Sequence, residues 1–147
     1  MTMTIDMHTH VAPRQAVKIA ESGGKWHGVE FYRDNNDKLT TSYGDLKMSL
    51  PWPKKMETPD ERLNSMNARK IDMHILSISP LMHWHGLDNT NAVAYAKDVN
   101  DDISDYASIN GNRFKSFCFL PLQDPKASVI ELERCVNSKK MLGAMVA

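Results

Sequence analysis

From Thr58 onward, short apolar runs alternate with longer amphipathic stretches, and this alternation restricts the chain to a parallel β/α architecture. Thr58-Pro59-Asp60-Glu61 opens the first amphipathic stretch. It places an N-cap Thr, a Pro at the first helical position and a Glu three residues after the cap. The helix is predicted to run to about Lys70, with Leu63 and Met66 inward. Met73 to Ser79 follows as a strand. Its apolar members Met73, Ile75, Leu76 and Ile78 do not alternate strictly, which suits a strand covered on both faces. After a loop from Pro80 to Asn89, a long helix is predicted from about Asn91 to Ile109. Val93, Ala96, Val99, Ile103 and Tyr106 form its stripe, and Asn110-Gly111 stops it. Phe117 to Leu120 is read as a third strand. Asp124-Pro125 opens another helix with Val129, Leu132 and Val136 inward, and Met141 to Val146 is read as a fourth strand.

The N-terminal third is less regular. Thr4 to His8 is short and alternating, as in a strand. A short helix is predicted near Arg14 to Glu21, broken by Ser22-Gly23-Gly24. Residues 24–57 form an irregular excursion. Within it, Val29 to Tyr32 and Leu39 to Tyr43 flank the polar turn Asp34-Asn35-Asn36-Asp37, as in a hairpin. The order is β, excursion, then α, β, α, β, α, β.

The chemistry is concentrated in Asp6-Met7-His8-Thr9-His10. Residues two apart on a strand share a face, so His8 and His10 are expected to present adjacent imidazoles at the C-terminal end of the first strand. Ligands and catalysts gather at that end of parallel strands. Imidazole suits zinc and other borderline divalent metals. Asp6, expected on the same face one step deeper, is placed to orient a ligand histidine from behind.

Lys plus Arg equals Asp plus Glu at 18 each. The basic excess of a nucleic-acid binder is absent. No run approaches the roughly 20 apolar residues of a membrane helix, and the first residues lack the charged and apolar regions of a secretory signal. A cytoplasmic location is the resulting expectation. Cys118 and Cys135 are read as two buried free thiols.

Beyond these features, the sequence resembles the amidohydrolase-related family, in the branch of aminocarboxymuconate-semialdehyde decarboxylase and related aromatic-acid decarboxylases. The segments that carry the resemblance are IDMHTHVAPR at 5–14, TPDERLNSMNARKIDMHILSISP at 58–80, NDDISDYASINGNRFKSFCFLPLQDPKASVIELERCV at 100–136 and LGAMVA at 142–147. The resemblance implies the N-terminal half of a (β/α)₈ TIM-type barrel of the metal-dependent hydrolase superfamily, truncated after the fourth strand. Residues 1–147 then form one partial barrel domain, since a complete barrel needs about 250 residues. It also implies one divalent metal, usually zinc, with His8 and His10 as two of its ligands. Further ligands, a histidine and an aspartate, and an acid/base histidine are expected beyond residue 147. The complete protein is expected to be a homodimer.

Three residues are candidates for substrate contact. His83 and Trp84 lie in the loop after the second barrel strand, on the expected active face. Arg14 follows the metal motif and suits bidentate pairing with a carboxylate. Lys47 and Lys54 are alternative cations in the excursion. His74 is expected to be a hydrogen-bonded core or helix-facing residue, and His27 carries no functional argument. The expected activity of the full protein is decarboxylation of an unsaturated or aromatic carboxylic acid. One alternative is hydrolysis of an amide or lactone by water activated at the same metal. Another is that the 147-residue chain alone is inactive and only self-associates, because two histidines fall short of a catalytic ligand set and a half barrel leaves strand edges open.

Overall fold

The structure, a computed structural model, describes residues 2–49 and 58–146. Its elements in chain order are β1 (Ile5–Val11), α1 (Arg14–Ser22), β2 (Gly24–Trp26), β3 (Val29–Arg33), β4 (Leu39–Tyr43), β5 (Leu46–Ser49), α2 (Pro59–Arg69), β6 (Met73–Ile78), a 3₁₀ turn at Pro80–Met82, α3 (Asn89–Ser108), β7 (Phe114–Ser116) and α4 (Pro125–Ser138). Two sheets form. One is parallel, in the order β1-β6-β7; the other is an antiparallel meander, β2-β3-β4-β5. The excursion is therefore ordered over its described part, with the expected hairpin at its centre and one further strand on each side.

The parallel sheet continues past β7. Cys118 forms a parallel bridge with Ala144, and the Cys118 N–H donates to the Gly143 carbonyl at 2.8 Å. Residues 142–145 thus lie next in sheet order, as in a barrel built strand by strand. Among the described residues the sheet does not close. The expected fourth strand is reduced to this bridge, and the third strand is Phe114–Ser116, ending before the expected Phe117–Leu120, where Cys118 forms only the bridge.

Helix entry follows local chemistry. The Thr58 hydroxyl accepts the Glu61 N–H at 3.2 Å, while Glu61 accepts the Thr58 N–H at 2.8 Å, completing the capping box that starts α2. Asp88 and Asp124 cap α3 and α4 by accepting from Asn91 N–H and Ala127 N–H.

The inward faces depart from the simplest apolar stripes. On α2 the buried residues are Arg62 and Met66, with Leu63 only partly covered. On α3 the stripe holds, except that Val93 is exposed and the polar Asn100 is fully buried within it. On α4 the buried side chains are Ser128, Glu131 and Cys135, while Val129 and Val136 face outward beside Ile130. A hydrogen-bonded network explains α4. Asn100 Nδ2 donates to Glu131 Oε1 at 2.7 Å, Arg134 pairs with Glu131 at 2.7 Å, and the Cys135 thiol donates to Glu131. Satisfied this way, the carboxylate can be buried against the sheet. Cys118 and Cys135 are both free and buried. No helix among the described residues is long and apolar enough to cross a membrane.

Candidate metal centre

In β1, Asp6 pairs with His74 and Thr9 with Leu76, so Met7 and His8 together oppose the single residue Ile75. This is a β-bulge, and it resets the alternation of the strand. Beyond it, Thr9 and Val11 are buried and His10 faces the other way, opposite Ser77 in the register. Asp6 lies before the bulge, in register with His74. The single face expected for Asp6, His8 and His10 is therefore interrupted. Its carboxylate accepts the His8 backbone N–H at 3.0 Å and lies 4.0 Å from His74 Nε2. Asp6 thus holds the backbone of the bulge that carries His8.

The two histidines do come together. The His8 and His10 rings are 4.9 Å apart at their centroids, nearly perpendicular at 82°. His8 is exposed, whereas His10 is half-buried. His10 Nδ1 lies 3.2 Å from Ser77 Oγ. Ser77 is buried at 2% exposure, and its hydroxyl donates to the Thr9 carbonyl at 3.4 Å. The His10 carbonyl in turn accepts from Arg62 Nη2 at 3.0 Å, and Arg62 Nε donates to the Tyr106 hydroxyl at 3.3 Å. Desolvation and the neighbouring His8 lower the His10 pKa, against the pull of the Ile78 and Ser77 carbonyls. A neutral imidazole is the form that binds a metal.

These residues fit a divalent cation as two donors of a larger set. His10 Nδ1 has a protein partner in Ser77, which would leave Nε2 for a cation. Among the described residues no group of three His, Cys, Asp or Glu is arranged to hold a metal, whereas a catalytic zinc site takes three protein ligands.

His83 stands near the same strand ends. Its ring packs 5.0 Å from Phe119 and 5.7 Å from His85. Burial, with the charge of His85 added, lowers its pKa to about 4, so it is neutral near pH 7. Its Nε2 is buried without a hydrogen-bond partner among the described residues. Trp84 is in the core, and its indole Nε1 is likewise without a partner. Arg14 is engaged elsewhere: its Nε donates to Asp102 at 2.7 Å, and its backbone N–H donates to the same carboxylate. It lines a cleft with Lys18, Asp98, Asp101, Asp102 and Asp105, apart from His8 and His10. Lys47 stacks over the Tyr32 ring at 5.5 Å, and Lys54 lies outside the described residues. His74 is buried beside Arg62, as expected of a helix-facing residue. His27 pairs with Asp98 at 2.8 Å.

Ser77 and Arg62 escape a reading based on apolar periodicity. The available signals were a serine inside the apolar run Ile75–Ile78 and an arginine beside Met66's inward stripe.

A strand-end His pair on a stepwise parallel sheet defines a class, and comparison with known proteins identifies it. The amidohydrolase family model matches residues 5–146, and the chain belongs to that family. It is 28% identical over 147 residues to the 2-amino-3-carboxymuconate-6-semialdehyde decarboxylase of Dictyostelium discoideum, covering 99% of this chain and 40% of that protein. It is 36% identical over 91 residues to the gamma-resorcylate decarboxylase of Rhizobium radiobacter, covering 62% of this chain and 28% of that one. Among solved structures, the dihydroxybenzoic acid decarboxylase from Polaromonas, with bound manganese and the inhibitor 2-nitroresorcinol, superposes with a TM-score of 0.66. The identity is 23%, over 99% of this chain and 38% of that chain. The chain thus spans about 40% of the length of the semialdehyde decarboxylase that it matches almost throughout.

Proposed function

We propose that this chain is the N-terminal part of a metal-dependent decarboxylase acting on an unsaturated or aromatic carboxylic acid. The observation that carries this reading is the His8–His10 pair at the end of β1, with His10 Nδ1 already engaged by Ser77. Both relatives described above are named as decarboxylases, which favours carboxy-lyase chemistry over hydrolysis.

A divalent cation at this site supplies positive charge that orients and polarises a bound carboxylate substrate. The manganese of the Polaromonas protein makes manganese as reasonable a choice here as zinc. The remaining donors and the acid/base group would come from parts of the barrel beyond the described residues. His8 and His10 would hold the cation, Asp6 fixes the backbone at His8, and neutral His83, packed on Phe119, would offer a weakly polar wall near the same strand ends. Such a wall excludes water and suits an unsaturated or aromatic ring. Arg14, already paired to Asp102, is not the cation for the substrate carboxylate. We further propose that the complete protein is a cytoplasmic homodimer.

The test is carbon dioxide release by the full-length, metal-loaded protein on a panel of dihydroxybenzoates and unsaturated amino- or hydroxy-acids. Amide and lactone substrates are assayed in parallel. Metal-dependent carbon dioxide release supports the reading. Turnover of only the amides or lactones replaces it with a hydrolase, and a protein that retains no metal overturns it.

A further inference from the structure

The buried serine beside His10 bears on how the imidazole presents itself. In parallel register His10 lies opposite Ser77, so their side chains project from the same face of neighbouring strands. Ser77 Oγ reaches two groups: the Thr9 carbonyl at 3.4 Å and His10 Nδ1 at 3.2 Å. A carbonyl can only accept. A hydroxyl has one hydrogen and spare lone pairs. When that hydrogen points at Thr9, the oxygen that remains can only accept, and His10 Nδ1 must carry the proton. The lone pair of the ring then sits on Nε2. At 2% exposure no bulk water competes for the Ser77 hydroxyl.

We propose that Ser77 is a positioning residue that holds neutral His10 in the Nδ1–H tautomer, thereby committing Nε2 to the metal and fixing the ring plane. This inference rests on the metal-site reading above. It adds a specific requirement, which is that one β6 hydroxyl, rather than a carboxylate, performs the orienting task usual for metal-bound histidine. Asp6, the acidic residue of the motif, is occupied by the His8 backbone and His74 instead.

The experiment uses the full-length protein labelled with ¹⁵N-histidine, with the wild type, Ser77→Ala and Ser77→Thr compared. In the metal-free form at about pH 8, above the ordinary imidazole range, long-range ¹H–¹⁵N correlation spectra report which ring nitrogen of His10 is protonated. Competition with a chromophoric chelator reports affinity for Zn²⁺ and Mn²⁺. The expected result is a single Nδ1–H tautomer in the wild type and in Ser77→Thr. Ser77→Ala should give a mixed or Nε2–H population and a metal affinity about 10–100-fold weaker. An Nε2–H tautomer in the wild type overturns the proposal, and that measurement requires no variant to fold. So does a Ser77→Ala protein that keeps both the wild-type tautomer and the wild-type affinity. If the wild type binds no metal, the functional reading fails, while the tautomer spectra still decide the role of Ser77.

Discussion

The side-chain amide of Asn100 takes both backbone groups of Phe119: Nδ2 donates to the Phe119 carbonyl at 2.9 Å and Oδ1 accepts the Phe119 N–H at 2.8 Å. A helix side chain thus stands where a neighbouring strand would, and it ends the ladder that β7 and Cys118 begin. The same Nδ2 reaches Glu131, so α3, α4 and the strand end are tied at one buried point. Asn100→Ala leaves two backbone groups and a carboxylate without this partner. It is expected to lower stability by about 2–4 kcal/mol, read as a fall in the urea midpoint. A loss below about 0.5 kcal/mol would mean that water or relaxation replaces the amide.

His83 gives the fold a pH dependence. Its folded pKa is lowered to about 4 by burial, with His85 adding to the shift, whereas an unfolded imidazole titrates near 6.5. Between these values the unfolded chain binds more protons, so stability rises with pH across this window. The contribution is complete above about pH 6.5 and is lost progressively as pH falls toward about 4. As pH falls from 7 to 4.5, the denaturation midpoint of the wild type should drop more steeply than that of His83→Gln. Parallel curves would remove His83 as the source.

Much of this organisation can be read in the sequence. The strand and helix order, the Thr58–Glu61 capping box and the adjacency of His8 and His10 follow from periodicity and short-range chemistry, which are local. The bulge at Met7–His8 is not local. It depends on how β1 registers against β6, so alternation alone put Asp6 on the wrong side of the question. The polar interior of α4 escaped for a related reason: Glu131 is buried because Asn100 and Arg134 meet it there, and pairs so distant in sequence leave no apolar stripe. The excursion looked irregular because its strands are short and mixed in polarity, although their antiparallel pairing is regular.

Arg62 braces the strand end that carries His8 and His10 from the helix layer. It donates to the carbonyl of His10 and to Tyr106 from a buried position. Arg62→Met keeps the length and apolar stem while removing the donors. Stability is expected to fall by about 1–3 kcal/mol, and metal affinity to weaken with it, since the His10 backbone loses its anchor. Thermal melts of the metal-free protein and chelator competition separate the two effects. Wild-type values in both would show that the guanidinium holds nothing essential.

Arg14 should behave as a structural pair. Its guanidinium is half-exposed at 50% while it bonds to Asp102, and exposed ion pairs contribute little, about 0.2–1 kcal/mol. Arg14→Ala is expected to lower stability within that range and to leave KM for a carboxylate substrate within about twofold, a change worth roughly 0.4 kcal/mol. A tenfold rise in KM with unchanged stability would return Arg14 to the substrate site.

The 147-residue chain by itself carries unpartnered apolar surface. Ile130 is 68% exposed and Val129 57%, side by side on α4, and Ile5 and Met7 are exposed on β1, the edge of the parallel sheet. Exposed strand edges and apolar patches of this kind favour association. Within a longer barrel, further strands and helices would cover the same places. The isolated chain is therefore expected to sediment as oligomers and to be catalytically inactive, since no group of three His, Cys, Asp or Glu among the described residues is arranged to hold a metal. Val129→Lys with Ile130→Glu should shift it toward monomer without changing its far-ultraviolet circular dichroism, since neither side chain is part of the core. Sedimentation velocity over a concentration series checks this. A wild-type chain that stays monomeric throughout would show that these surfaces do not drive association.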